Sequence, residues 1–439
     1  MIKVNAQLSP SFRKLHSAVL AEKRLYIFGG FHDSALTPQN EALLNNNLDD
    51  RFFYLDVSIP FDTSNLPWRA IPDNVKNLPL GSLSTIVSGG VGASIGGINS
   101  DAIFFINNEF TNTTPPVHSY NAQNNLWNTR TISGDRPIGR NQMKPITDNN
   151  GKIHLLTGLS FTDKAGVTRS NGIIVLDTIN LNCIIRDAPI TRLGYGATLL
   201  PNGKIVYMAG WDPVFVLPPD NFKEIYLYDT NTGQWDIKLT TGNFPTSDAG
   251  ISTVLGLDGS RIIVFGGDVD SDNFLNVLDL TNFEWFIPEV RGKGPVFKRS
   301  EHTANVIGKY MVIAFGLNGI DQAKYKSNGE SDVLLLDISN NSQYMWTTSF
   351  DPTPFTIDPT SSPSPANSSS TTKNDNKNVI IGIVIGIVII LSILSASAVI
   401  FIRRRRNITK AIPTPGDTNG NIISIPSDYE LSYENSRRI

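Results

Sequence analysis

The residues able to do chemistry are few and widely spaced. Cys183 is the single cysteine, which rules out an intramolecular disulfide and a cysteine-rich zinc cluster. The five histidines, His16, His32, His118, His154 and His302, show no HExxH or other paired metal-ligand spacing. A metal site would have to be assembled by tertiary proximity alone. The run GGDVDSDN sets Asp268, Asp270 and Asp272 two apart, as calcium loops do, but it lacks their glycine and distal glutamate and reads as a solvated loop. There is no GxSxG elbow and no GxxxxGK[ST] phosphate loop. The expectation is no catalytic residues, no metal and no cofactor, and hence a protein that is not an enzyme.

The remaining class is binding, so the question becomes which elements present a surface. The 439 residues include 35 Gly, 26 Pro, 22 Phe and 12 Tyr, a composition that favours turns and strands over long helices. Residues 403–439 carry seven Lys/Arg against four Asp/Glu, so of a net charge of -3 the body keeps -6. A mildly acidic body excludes phosphate-backbone binding, and no nucleic-acid partner is expected.

The C-terminal third of the pattern is of another kind. Val379 to Ile402 runs 24 residues without a charge. At 1.5 Å per residue that is about 36 Å of helix, enough to cross a hydrocarbon core of about 30 Å. Arg403, Arg404, Arg405 and Arg406 follow at once, so the positive-inside rule places 403–439 in the cytosol and 1–378 outside it. The opening MIKVNAQLSP has no apolar core of a signal peptide, and the expectation is that such a segment is missing from this sequence. Residues 351–378 form a stalk, with 11 Ser/Thr and five Pro in 351–377, expected to be disordered. The tail 403–439 is expected to be disordered as well. Asn112, Asn340 and Asn367 head glycosylation sequons, and Gly382 and Gly386 form a GxxxG pair suited to weak dimerisation in a membrane.

Through the first 350 residues runs a repeat. Six strand-like runs end in an acid or its amide: Asp56, Asn121, Asp177, Asp229, Asp279 and Asp337, at intervals of 65, 56, 52, 50 and 58. Trp127, Cys183, Trp235 and Trp285 stand six residues after the second to fifth of these; Trp68 and Trp346 stand at twelve and nine. The segments between, such as DTNTGQW and DLTNFEW, read as tight turns. Upstream of most acids, two strand-like runs end in glycine, as doublets at Gly29–Gly30 and Gly266–Gly267 and singly elsewhere. Each unit supplies four antiparallel strands, and arranging six such units radially buries both faces of each. The prediction is an all-β, six-bladed β-propeller over 12–350 after a short N-terminal segment, 1–11, followed by stalk, transmembrane helix and tail.

Together with Arg13–His16 and Arg299–His302, these glycines, acids and tryptophans resemble the kelch repeat family, over most of 13–346. The layout of ring, stalk, span and tail is similar to membrane-tethered kelch proteins predicted in fungi. The resemblance implies a protein- or glycan-binding module, single-pass in the membrane, with the propeller extracellular or luminal. It also implies two alternatives. One is a copper radical oxidase like galactose oxidase, for which Cys183 would have to crosslink to a tyrosine; the other is a structural membrane-anchored spacer. Long polar loops on a rigid scaffold are where recognition sits, and Phe31, His32, Trp211, Asp212, Asp268, Asp270, Asn318 and Asp321 are the candidate contacts.

Overall fold

The computed structural model describes residues 8–30, 51–71, 92–106, 116–135, 144–156, 159–162, 166–169, 172–211, 222–246, 249–268, 273–296, 298–318 and 330–354. Every regular element among them is a β-strand. The expected calls at 355–439 (most of the stalk, the apolar stretch 379–402 with Gly382 and Gly386, and the tail) lie outside the described residues. Among those described, no helix is long and apolar enough to cross a membrane.

The strands form a six-bladed β-propeller, each blade a contiguous piece of sequence. Blade one, for example, is Ser17–Ala21, Arg24–Phe28, Phe52–Asp56 and Trp68–Ala70, paired in that order from axis to rim. The innermost strands of blades two to six are Gly92–Gly96, Ile146–Thr147, Gly196–Leu199, Ile251–Leu255 and Thr303–Ile307.

Packing follows from a strand pattern that is apolar on both faces. The second and third strands of each blade are nearly continuous runs of buried Val, Ile, Leu and aromatics, so each blade must be covered on both sides. Six apolar clusters result, one per junction between adjacent blades, and the sixth joins Leu25, Ile27 and Phe53 of blade one to Val312, Val333 and Leu335 of blade six. The bulky residue opening each fourth strand belongs to the junction with the preceding blade. Trp68, Trp127, Cys183, Trp235, Trp285 and Trp346 take this place in turn.

The third-strand acids make the turn that follows. In all six blades the side-chain oxygen accepts the backbone N–H two residues on: Asp56 from Ser58, Asn121 from Gln123, Asp177 from Ile179, Asp229 from Asn231, Asp279 from Thr281 and Asp337 from Ser339, at 2.8–3.1 Å. A short polar side chain that mimics a backbone carbonyl sets the hairpin.

Three blades carry a fifth strand donated by their predecessor. Ser133–Gly134, Thr241–Gly242 and Val290–Arg291 pair in parallel with the outer strands of blades three, five and six. Gly134, Gly242 and Gly292 then adopt φ of 87°, 89° and 81°, and a Cβ there would collide with the carbonyl oxygen of Cys183, Trp285 or Trp346. At the last junction this device changes hand. Ser349–Phe350 pairs antiparallel with Phe61–Asp62 of blade one, and the Phe61 and Phe350 rings stack at 4.6 Å. The ring therefore closes by this rim contact and by the apolar junction, and no blade mixes N- and C-terminal strands in its four-stranded core.

Candidate functional site

The site is the axial channel and its mouth, on the face where innermost strands begin and second strands end. The second strands of blades one, four, five and six end at Gly29–Gly30, Ala209–Gly210, Gly266–Gly267 and Phe315–Gly316. The first position of each pair takes φ of 52–80°, tolerable to Ala209 and Phe315. The second takes φ of 89–119°. There, a Cβ at Gly30, Gly210 or Gly316 would lie 2.6–2.9 Å from the Cβ of His16, Tyr195 or His302. The second position favours glycine in all four of these blades, and in blade five the first does too, because a Cβ at Gly266 would collide with the Arg299 carbonyl.

That contact also identifies equivalent residues across blades. Arg13 and Arg299 are fully buried; Arg13 donates to the Gly29 carbonyl and lies 4.4 Å over the Phe53 ring, while Arg299 donates to the carbonyls of Asp332 and Ser331. Arg192, donating to the Gly210 carbonyl, is their counterpart in blade four, and Tyr195 stands where the others have histidine. The sequence reading missed this pair; the spacing Arg-x-x-aromatic in RLGY was the available signal. His16 reaches Thr303 Oγ1 at 2.8 Å, His302 reaches Ser252 Oγ at 2.6 Å and Tyr195 donates to the Leu156 carbonyl at 3.0 Å. Each thus ties its blade to the preceding one. Burial, and then Arg13, holds His16 well below its ordinary pKa; burial, and then Lys144 and Arg299, does so for His302. Both are neutral at pH 7.

One residue before each of these positions, the backbones form a chain across the mouth. Leu15 N–H donates to the Glu301 carbonyl, Glu301 to Gly250 and Gly250 to Gly194, at 3.0–3.1 Å. All four residues have positive φ, including the non-glycines Leu15 at 52° and Glu301 at 55°. Left-handed backbone at bulky residues costs energy and persists here because the inter-blade bonds fix it. The Glu301 carboxylate meets Lys14 at 3.6 Å, both largely buried.

Below the mouth lies a cavity of about 340 Å³, lined by small and hydroxylic residues of the innermost strands, among them Ser17, Ala18, Ala93, Ser94, Thr253 and Thr303. Hydroxyl pairs tie neighbouring blades at its wall, Ser94 to Thr147 at 2.7 Å and Thr198 to Thr253 at 2.8 Å. Lys144 also lines it.

Of the eight candidate contacts, the structure brings three to this face. Trp211, half-buried, exchanges backbone hydrogen bonds with Leu193 at 2.8 and 2.9 Å. Asp268, exposed, donates its N–H to the Ala249 carbonyl and sets its carboxylate directly over Gly250. Asn318 pairs its backbone with Arg299. Phe31, His32, Asp212, Asp270 and Asp321 lie outside the described residues, as do Asn112 and Asn367; Asn340 is exposed in the turn before the last blade strand.

Cys183 is buried in the junction of blades two and three, and burial, then Asp135, pushes its thiol up to about 12. Among the described residues no three His, Cys, Asp or Glu side chains are grouped to hold a metal. His154 is instead locked to Asp148 at 2.9 Å, both buried.

The ring, with its glycine doublets, turn-forming acids and wedge tryptophans, is a six-bladed β-propeller whose repeat is similar to the kelch repeat. Residues 196–388 match the kelch-repeats domain of the KLHDC2/KLHL20/DRC7 group. A curated relative is the Rab9 effector protein with kelch motifs of Bos taurus, 29% identical over 141 residues, 30% of this chain; the match spans 36% of that relative's length. In fold, the chain is similar to the solved structure of YjhT, with a TM-score of 0.51 and 13% identity over 78% of this chain and all of that one.

Proposed function

We propose that the chain is a protein-binding module whose partner docks on the mouth face of the ring. The observation that carries this is the chain of hydrogen-bonded left-handed residues, Leu15, Glu301, Gly250 and Gly194, which, braced beneath by the buried Lys14–Glu301 pair, fixes a face bearing the exposed Asp268 and the half-buried Trp211. Such preorganisation reduces the ordering cost of association. Similarity to the bovine Rab9 effector protein with kelch motifs supports a protein ligand over a glycan. The apolar run 379–402, followed by four arginines, supports anchoring in a membrane with the ring outside the cytosol.

Cross-linking of cells expressing the full-length chain, followed by mass spectrometry, tests the reading. Asp268→Lys with Trp211→Ala should remove a set of cross-linked proteins that Asn231→Lys, on the opposite face, retains. Equal cross-linking by both variants would refute docking at the mouth. Protease digestion of intact cells tests sidedness: the propeller should be cleaved and the tail protected.

A further inference from the structure

Lys144 has no role in the frame described above. It precedes the innermost strand of blade three, and its ammonium hydrogen-bonds the Ile251 carbonyl of blade five. Its backbone N–H donates to Tyr195 Oη at 3.2 Å, which fixes the base of the side chain. Among the described residues no carboxylate lies within ion-pair distance of this ammonium. Lys14, by contrast, has Glu301. The Lys144 ammonium adds to burial in holding His302 neutral.

Lys144 is half-buried, and among the described residues its ammonium meets one carbonyl, so a neutral dipole replaces part of its water at a cost. The cost is visible in its own acidity, since burial lowers Lys144 to about 8. The cavity beside it, about 340 Å³, falls in the size range of small-ligand sites and is lined by the hydroxyls of Ser17, Ser94, Ser252, Thr253 and Thr303 and by two carboxylates, Glu301, which is paired with Lys14, and Asp268. A cation with spare donors and several hydroxyls around one void is the donor set an oxyanion needs.

We propose that the axial cavity binds a small oxyanion, a carboxylate or phosphate group, with the Lys144 ammonium as its charge contact and the inner-strand hydroxyls completing its shell. This goes beyond protein docking at the mouth and stands or falls separately from it, since it concerns a small molecule inside the ring.

The test is ligand-observed NMR on the full-length protein with acetate, lactate and inorganic phosphate as probes, and lactamide as the neutral counterpart of lactate. At least one oxyanion should bind, with lactamide weaker by about tenfold or more, as loss of a charge-assisted hydrogen bond requires. Lys144→Gln should lose the preference for charge, while Lys144→Arg should keep it; unchanged thermal unfolding of both shows that the ring is intact. If Lys144→Gln unfolds, Lys144→Arg together with the lactate–lactamide contrast in the wild type still decides. Binding of acetate and lactate but not phosphate assigns the site to organic acids, and the reverse to phosphate. Lactate and lactamide binding alike, or no probe binding, overturns the proposal.

Discussion

Truncation of Phe350 tests how the ring closes. Its ring is 1% exposed, stacks on Phe61 at 4.6 Å with planes 14° apart, and meets Tyr310 at 5.1 Å. Around it, Thr63 N–H donates to the Thr348 carbonyl at 2.8 Å and Thr348 Oγ1 to Asp62 at 2.7 Å, the contacts that join the last strand to blade one. Removing a buried phenylalanine side chain costs about 3–5 kcal/mol, the lower end applying where the rim can settle into the gap. Phe350→Ala should therefore lose about 3 kcal/mol. Phe61→Ala removes the other half of the stack, and a double-mutant cycle should return a coupling of about 0.5–1.5 kcal/mol, the share of an aromatic pair beyond its buried area. The assay is equilibrium unfolding of the full-length protein in urea, read by tryptophan fluorescence. Leu126→Ala, at a residue 57% exposed, serves as the control and should stay within about 0.5 kcal/mol. A Phe350→Ala protein as stable as this control, or truncations that add without coupling, would refute closure by the rim pair.

Two further outcomes follow from local geometry. Gly308 has φ of 58° with nothing within 4 Å of a built Cβ, so Gly308→Ala should cost about 1 kcal/mol, the left-handed penalty alone. Gly242→Ala adds a collision with the Trp285 carbonyl that also receives Asn243 N–H, and should cost at least about twice as much in the same urea assay. Asp148 is held below the usual carboxylate range: burial raises it, but hydrogen bonds from His154 and the N–H groups of Lys152 and Asn150 outweigh that. A carboxyl depressed on folding stabilises above its unfolded pKa of about 3.9 and ceases to as pH falls through the folded value. Asp148→Asn should accordingly flatten the loss of stability between pH 5 and 2; a wild-type profile in that variant would show the dyad contributes nothing.

Much of the frame was legible because its signals are local. Asp229 and its counterparts bond N–H groups two residues away, and such a turn writes itself into a short string. The tryptophans were legible by spacing, and Cys183 fits the same place because the junction of blades two and three fills its volume otherwise, with Ile132, Ile174 and Leu176. The fifth strands were not legible. Ser133–Gly134 is two residues long and pairs with Asn182–Cys183, so it creates no periodicity, and its sign is one glycine among 35. The same holds for Lys144, whose partner carbonyl is 107 residues away. Nothing in the neighbouring QMKPIT hints at Ile251.

The doublets show how a repeat can fix a frame while leaving recognition free. At their second position the left-handed backbone favours glycine in blades one, four, five and six, and in blades one, four and six a Cβ would also crowd His16, Tyr195 or His302. One residue later, the backbone still pairs in the same way, Trp211 with Leu193, Asp268 with Ala249 and Leu317 with Ser300. The side chain there is unconstrained by that pairing, and it is an indole, a carboxylate and an aliphatic in turn. Geometry is repeated and chemistry is not, at adjacent positions on one face. Leu317 is buried, whereas Trp211 and Asp268 are accessible, so a partner reading that face meets an indole on blade four and a carboxylate on blade five, and exchanging the two should leave stability near wild type while abolishing partner cross-linking. Loss of both would place these residues in the frame instead.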